Sequence, residues 1–457
     1  MLGILYEGGT RMKKVLALVA VSTLLATSAT SAMAEEPVTS AYKFSIGGYV
    51  KLDYAYNSEN LGPSGTITPG GLGLSTALTG KGPGAPGNQE QSILGVRQSR
   101  LWFKADGPTF LGAKTGSLIE GDFYGDTSTP AESPQFRLRH AYGTLEWANT
   151  SILFGQYWDM FAPMVANTQD FRCGATTGAP NNPRSPQLKL TQRVNLNPDN
   201  QLQFVFGFTD PTQYGDNAGP ASTFTATNSY GAGLNYAAQV FFVSKSLGTA
   251  PGYFGLANQP FKIGFFGEYG NEHLKLNNNA NVADTWGFGS YIFAPILKSS
   301  DGKSRAMTMS VEGQVYEAAN MAYNAATPYQ FANTTASTSP AAELNNANPD
   351  KAVGVAAQII FYPTQALGLT AGYGNRINAS KAVDTGTGAF QKYNQEIYFN
   401  AAYDLNAAVR VAGEYQNLEA GFNNFNPGGA AGIGAAKVGT KGTASVNIGR
   451  VCLYYFF

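Results

Sequence analysis

The sequence predicts an all-β fold, a transmembrane antiparallel β-barrel of about 16 strands with short periplasmic turns and long extracellular loops. Three observations predict it. Apolar and polar residues alternate with period two along most of the chain, and long and short connections alternate between those segments. An export signal is then followed by no apolar run of the roughly 18 residues that a spanning helix needs.

The signal occupies residues 1–34. Lys13 and Lys14 form its basic start, "VLALVAVSTLLA" (15–26) its apolar core, and Ala32-Met33-Ala34 a small-x-small cleavage site before Glu35. "MLGILYEGGTR" is a poor opening for such a signal. Met12 fits better as the initiator, with Glu7-Gly8-Gly9 reading as a translated ribosome-binding sequence. Residues 35–42 are then a short periplasmic N-terminus and 43–457 the barrel.

The alternation is clearest in "KFSIGGYVKLDYAY" (43–56): Phe44, Ile46, Val50, Leu52 and Tyr54 share one face, and Lys43, Ser45, Lys51 and Asp53 the other. About sixteen such segments follow one another. The long connections are 57–92, 124–135, 159–185, 210–228, 271–283, 318–350, 377–392 and 417–443. Between them lie short ones such as "DGPTF", "ANT", "NLNPDN", "YPTQ" and "DLNA". Sorting long loops to one rim and tight turns to the other is a barrel pattern; a soluble sandwich or propeller has no cause to do it. The chain ends "VCLYYFF", with Val451, Leu453, Tyr455 and Phe457 on one face and Arg450 and Cys452 on the other. A terminal aromatic of this kind resembles the signal read by the outer-membrane barrel-insertion machinery, so Phe457 is its expected contact.

Composition agrees. Of 457 residues only 13% are charged, 30 basic and 30 acidic, while Gly (54), Tyr (25) and Phe (28) abound. A soluble enzyme of this size carries more surface charge, and a nucleic-acid partner needs a concentrated basic footprint that a balanced chain lacks. Two cysteines, Cys173 and Cys452, and two histidines, His140 and His273, are too few for a zinc, haem or iron-sulfur site, so no cofactor is expected. Two unpaired thiols, or a bridge from loop to wall, are both open readings.

Hydrocarbon cannot hold charge, so the apolar face of each strand meets lipid and the polar face meets a wet lumen. By this parity Phe136, Leu138, His140 and Tyr142 point outward, and Arg137 and Arg139 inward. The other inward cations are Arg100, Lys104, Lys189, Arg193, Arg410 and Arg450; inward acids are Asp53, Glu120, Asp122, Glu268, Glu312, Glu396 and Glu414. The cations make a basic wall, with the acids placed across from it. For Arg137 and Arg139, a ladder of salt bridges to Glu120 and Asp122 on the preceding strand is the second reading. Rings of Arg and Lys favour anions in a pore. Small outward residues Ala113, Thr115, Ser117 and Gly121 would suit packing against another barrel.

"QSRLWFKADGP" (98–108), "LIEGDF" (118–123), "FRLRHAYGTL" (136–145), "ILFGQYWDMF" (152–161) and "RSPQLKLTQR" (184–193), in that order, resemble the DcaP-like outer-membrane porins. The resemblance is sharp over residues 43–195, and barrel periodicity continues it beyond. It implies a sixteen-stranded homotrimer in the outer membrane of a Gram-negative bacterium. Such a porin takes up small organic anions, dicarboxylates included, past a basic constriction. Family anion preference transfers to Arg100, Arg137, Arg139, Lys189 and Arg193. The mature N-terminus is too short for the coiled coil some members carry, so a trimer would be held by barrel walls. The third long connection, 159–185, is the expected constriction loop, bringing Asp159, Asp170, Arg172 and Arg184 to the lumen; an external loop with solvated charges is the alternative. The expected function is therefore passive diffusion of anions through the outer membrane. A general or phosphate- or sulfate-preferring porin, and a structural or adhesive barrel, stand beside it. An enzyme is not expected, because His140 by parity faces outward and His273 sits beside Glu272 in a connection, leaving no nucleophile with a base.

Overall fold

In the computed structural model the described residues are 42–61, 90–125, 134–171, 178, 184–210, 230–231, 233–276, 279–321, 349–380, 390–423 and 441–457. They form one sheet of strand segments: β1 (Lys43–Asn57), β2 (Gln91–Gly95), β3 (Arg100–Phe110), β4 (Ala113–Asp122), β5 (Arg137–Glu146), β6 (Thr150–Trp158), β7 (Arg184–Asn195), β8 (Asn200–Thr209), β9 (Tyr230–Gly231), β10 (Asn235–Pro251), β11 (Asn258–Leu276), β12 (Asn279–Leu297), β13 (Thr308–Ala319), β14 (Lys351–Tyr362), β15 (Leu367–Asn378), β16 (Phe390–Asp404), β17 (Val409–Asn423) and β18 (Lys441–Phe456). Antiparallel pairing of β1 with β18, from Tyr49↔Phe456 to Asn57↔Ile448, closes the sheet on itself and leaves no open edge.

The segments make sixteen wall strands. β2 and β3 are two parts of one strand, broken at 96–99. β9 and β10 both pair with β11, at His273↔Tyr230 and Tyr236↔Tyr269, and are likewise one strand interrupted after Gly231. Parity holds along the first and last strands. Phe44, Val50, Val451, Leu453, Tyr455 and Phe457 are exposed on the outer face, while Lys51, Asp53, Arg450 and Cys452 are buried on the inner one. Among the described residues Cys452 is a free thiol, its Sγ 2.9 Å from Asp53 Oδ1; Cys173 lies outside them.

Three expectations fail here. "DGPTF" (106–110) is not a turn but the end of β3, which pairs with β4 as far as Phe110↔Ala113 across an irregularity between Gly107 and Phe110. Residues 271–283 are not a long connection: β11 and β12 pair as far as Leu276↔Asn279, so His273 belongs to a strand. "NEHLKL" is polar, so hydropathy alternation does not mark it, while the backbone ladder to β12 continues through it. In β5, Glu120 pairs with His140 and the next residue of β4, Gly121, pairs with Leu138, so Arg139 is an extra residue in a β-bulge. A bulge reverses parity beyond it. His140 and Tyr142 therefore point inward beside Tyr157, with ring centroids 5.1 and 4.9 Å from it.

Glycine opposite an aromatic ring recurs along the wall. A Cβ on Gly354 would lie 2.0 Å from the ring of Tyr316 on the neighbouring strand, and one on Gly121 would lie 2.0 Å from Phe136. The second contact, with Ala113 fully buried inside the chain, spends half of the small outward residues internally, which leaves little of that stripe for another barrel. Gly354→Val should cost about 1–3 kcal/mol by overpacking. The barrel's cold, fast-migrating electrophoretic form should convert to the unfolded band at a lower temperature than in the parent; equal conversion temperatures would show that Tyr316 moves aside freely.

Candidate functional site

The main interior feature is the segment that leaves β6. From Asp159 to Phe171 it runs along the inner wall and is buried along nearly its whole length. Phe161 and Met164 enter an apolar cluster with Phe241, Phe266, Tyr291, Phe293 and Tyr316, where Phe161 meets Phe266 and Tyr316 edge to face at 5.2 and 5.4 Å. Its backbone polar groups are met by wall side chains in strand order. Met164 N donates to Gln314 Oε1 (3.0 Å) on β13, and Asn167 N to Gln358 Oε1 (2.7 Å) on β14. Asn167 O accepts from Asn400 Nδ2 (2.6 Å) on β16. Asp170 N donates to Glu414 Oε1 (2.9 Å) on β17, while the other oxygen of Glu414 accepts from Gln169 N. A backbone without regular structure can stay buried only when its donors and acceptors are satisfied this way.

The segment ends in a charged knot. Asp170 receives Arg450 NH2 at 2.6 Å and Gln98 Nε2 at 2.9 Å, and Gln169 O accepts from Lys51 Nζ at 2.7 Å. Lys51 also pairs with Asp53 (2.8 Å), which lies 3.3 Å from Arg450. At its start Asp159 accepts from Phe161 N (2.8 Å) and Ser185 Oγ (3.3 Å). Burial pushes the Asp159 carboxyl above the ordinary carboxylate range, and Glu268 on β11 lies hydrogen-bonded beside it. Arg172 is outside the described residues.

A turn from the opposite rim meets this segment. Between β10 and β11 a single 3-10 turn, Tyr253–Gly255, carries Phe254 with φ 58°. Its Phe254 N donates to Asn167 Oδ1 (2.8 Å), and the ring packs on Phe171 and Tyr454 at 5.4 and 5.8 Å.

The lumen is thereby divided. On β13 to β17 the inward Glu312, Gln314, Gln358, Glu396, Asn400, Glu414 and Gln416 are buried, and Gln314, Gln358, Asn400 and Glu414 of these hold the segment. On β3 to β8 the inward Trp102, Lys104, Arg137, Tyr142, Lys189, Arg193, Gln201 and Gln203 keep partial or full exposure. Among the described residues, solvent reaches the interior along β3 to β8.

The predicted cations fall into two groups. Of the predicted acids, Asp53, Glu120 and Asp122 do not stand across the lumen from the cations but pair with neighbours on the same or the next strand, because antiparallel register puts opposite charges side by side. Glu268, Glu312, Glu396 and Glu414 lie on β11 to β17, away from the cations of β3 to β7. Arg137 NH2 is 2.7 Å from Asp122, and Arg139 bridges Glu120 (2.6 Å) and Asp122 (3.0 Å). Lys104 pairs with Asp106 at 3.0 Å, Arg410 with Asp404 at 2.6 Å and Arg450 as above. Arg100, Arg184, Lys189 and Arg193 form the second group, with no carboxylate within ion-pair distance among the described residues. Three of them lie on rings instead: Arg100 over Phe171 (4.7 Å) and Tyr49 (5.6 Å), Arg184 over Trp158 (5.1 Å), and Lys189 over Tyr157 (4.6 Å). Parity missed Lys51, Gln98 and Gln169 as parts of the knot; their partners are too distant in sequence to be foreseen. Among the described residues no group of three His, Cys, Asp or Glu side chains could hold a metal ion.

A closed antiparallel barrel with an apolar outer face and a charged interior crossed by an inward segment defines a transmembrane channel fold. No protein-family model and no curated protein matches the sequence. Among solved structures the chain is similar to the outer membrane channel DcaP of Acinetobacter baumannii, with TM-score 0.60 and 16% identity over 93% of this chain and 100% of that one. Looser likenesses are the OmpF of Salmonella typhi in complex with daunomycin (TM-score 0.49, 13% identity, 93% and 100% covered) and an anion-selective porin from Comamonas acidovorans (0.48, 12%, 91% and 100%). The barrel has the fold of DcaP.

Proposed function

We propose that the protein is an outer-membrane porin through which small hydrophilic solutes diffuse, with a preference for small organic anions such as dicarboxylates. The observation that carries this reading is the asymmetry of charge compensation. Cations on or near the covered half are neutralised by Asp53, Asp170 and Asp404. On the solvent-reached half Lys104, Arg137 and Arg139 are paired with carboxylates of β3 and β4, whereas Arg184, Lys189 and Arg193 line that half without a carboxylate partner among the described residues. Uncompensated positive charge on a wet wall raises the local anion concentration without trapping the solute. The segment 159–171 acts as the constriction, and Asp159, Asp170 and Arg184 are parts of its framework. The channel works as a homotrimer held by its outer walls and is inserted through recognition of Phe457. It needs no cofactor and performs no chemistry.

The reversal potential of the purified protein in a planar bilayer under a potassium chloride gradient tests this. An anion-selective sign, with conductance steps arriving in threes, is expected. A cation-selective sign would reject the solute class, and the absence of conductance would reject the porin.

A further inference from the structure

The inner faces of β7, β8 and β11 hold a group of donors that the loop network does not use and of which the parity reading named only Lys189 and Arg193. Register places Arg193 beside Gln203 and Gln203 beside Phe241; the adjacent row runs Asn195, Gln201, Val243, Lys262. Phe241 pairs with Gly264, so the row of Arg193 has no side chain at its β11 position. Lys262 fills that space: its Nζ sits 3.9 Å from the centroid of the Phe241 ring. Two strand spacings, about 10 Å, separate the Arg193 and Phe241 positions. Lys189, one inward position before Thr191 on β7, lies over Tyr157, and Lys189 and Lys262 are near enough to sense each other's charge.

None of these three cations has a carboxylate within ion-pair distance among the described residues. Glu312, the acid whose charge reaches Lys262, gives its oxygens to Tyr291 OH (2.7 Å) and Gln358 Nε2 (2.6 Å). Lys189, Arg193, Gln201, Gln203 and Lys262 are all partly exposed. Cations gathered on one wet wall with no carboxylate in contact repel one another, and an anion between them removes that repulsion. Amides at Gln201 and Gln203 add neutral donors in the gap.

We propose that Lys262 together with Lys189 and Arg193 forms an anion subsite near the short-turn rim. It takes a small organic dianion with one carboxylate on the β7 cations and the other on Lys262, Gln201 and Gln203 lying between. The subsite rests on the anion-preferring porin reading and names a residue group for it.

The test is block of the chloride current by succinate in planar bilayers, with the full-length protein as it is purified. Lys262→Gln should keep the anion-selective sign of the reversal potential. The succinate concentration for half-block should rise about fivefold, the worth of one unit charge at contact in a wet lumen. Lys262→Met, which keeps the aliphatic stem on Phe241, should behave alike and serves if the glutamine variant does not fold. Lys245→Gln, an exposed lysine outside the group, should leave block unchanged. Unchanged block in a folded, anion-selective Lys262 variant overturns the subsite and leaves the porin reading standing. A parent channel that is cation-selective overturns the reading on which the subsite rests.

Discussion

Glu414→Ala is expected to raise the single-channel conductance while the barrel stays folded. Both oxygens of Glu414 accept backbone N–H groups of the inward segment, from Gln169 and Asp170, and Asn400 Nδ2 donates to the same carboxylate at 3.2 Å. Hydrogen bonds to a charged group are worth about 1.5–3 kcal/mol each. Removing two of them takes roughly 3–6 kcal/mol from the docked segment, enough to populate states in which its 169–170 end is loosened while Gln314, Gln358, Asn400 and the apolar anchor at Phe161 still hold the rest. Single-channel recording should show a larger and noisier open level than in the parent. The wall itself should survive, since β17 keeps its pairings from Val409↔Tyr455 to Asn423↔Lys441. An unaltered open level in the folded variant would mean that the apolar cluster and the remaining polar contacts fix the segment without Glu414.

Lys189→Gln combined with Arg193→Gln should move the reversal potential toward potassium more than any other pair of charge deletions on the wall. These side chains are solvent-reached and lack carboxylate partners among the described residues, so each charge removed is removed from the conduction path. Arg137→Ala with Arg139→Ala supplies the contrast. It would strand Glu120 and Asp122, and breaking a buried pair costs about 3–5 kcal/mol, so that variant should lose folded protein before its selectivity can be read. Measuring both variants under one salt gradient settles the matter: a smaller shift for the β7 pair than for any surviving β5 variant would reassign the selectivity to β5.

Much of the wall was legible in the sequence because lipid imposes a strict rule on one face of every strand. Val50 through Tyr54 and Val451 through Phe457 alternate in exposure, and parity places them correctly. His140 and Tyr142 escaped that rule because a bulge inserts Arg139 without changing local composition. The inward segment was legible only as a long connection. Its seating depends on Gln314, Gln358, Asn400 and Glu414, which lie 150 to 245 residues away from their partners. No local pattern marks a Gln that accepts a loop amide from one that lines water. Lys262 was missed for a related reason: its position matters through the missing side chain at Gly264 and the ring of Phe241 one strand away.

The charged knot also constrains the order of assembly. Asp170 is held by Arg450 of β18, and Gln169 by Lys51 of β1, the two strands whose pairing shuts the cylinder. These contacts join residues 118 to 280 positions apart, so their loop-closure entropy is met only after the seam has formed. The inward segment therefore finishes docking last, and a chain caught before that step is a closed cylinder with an unfinished interior.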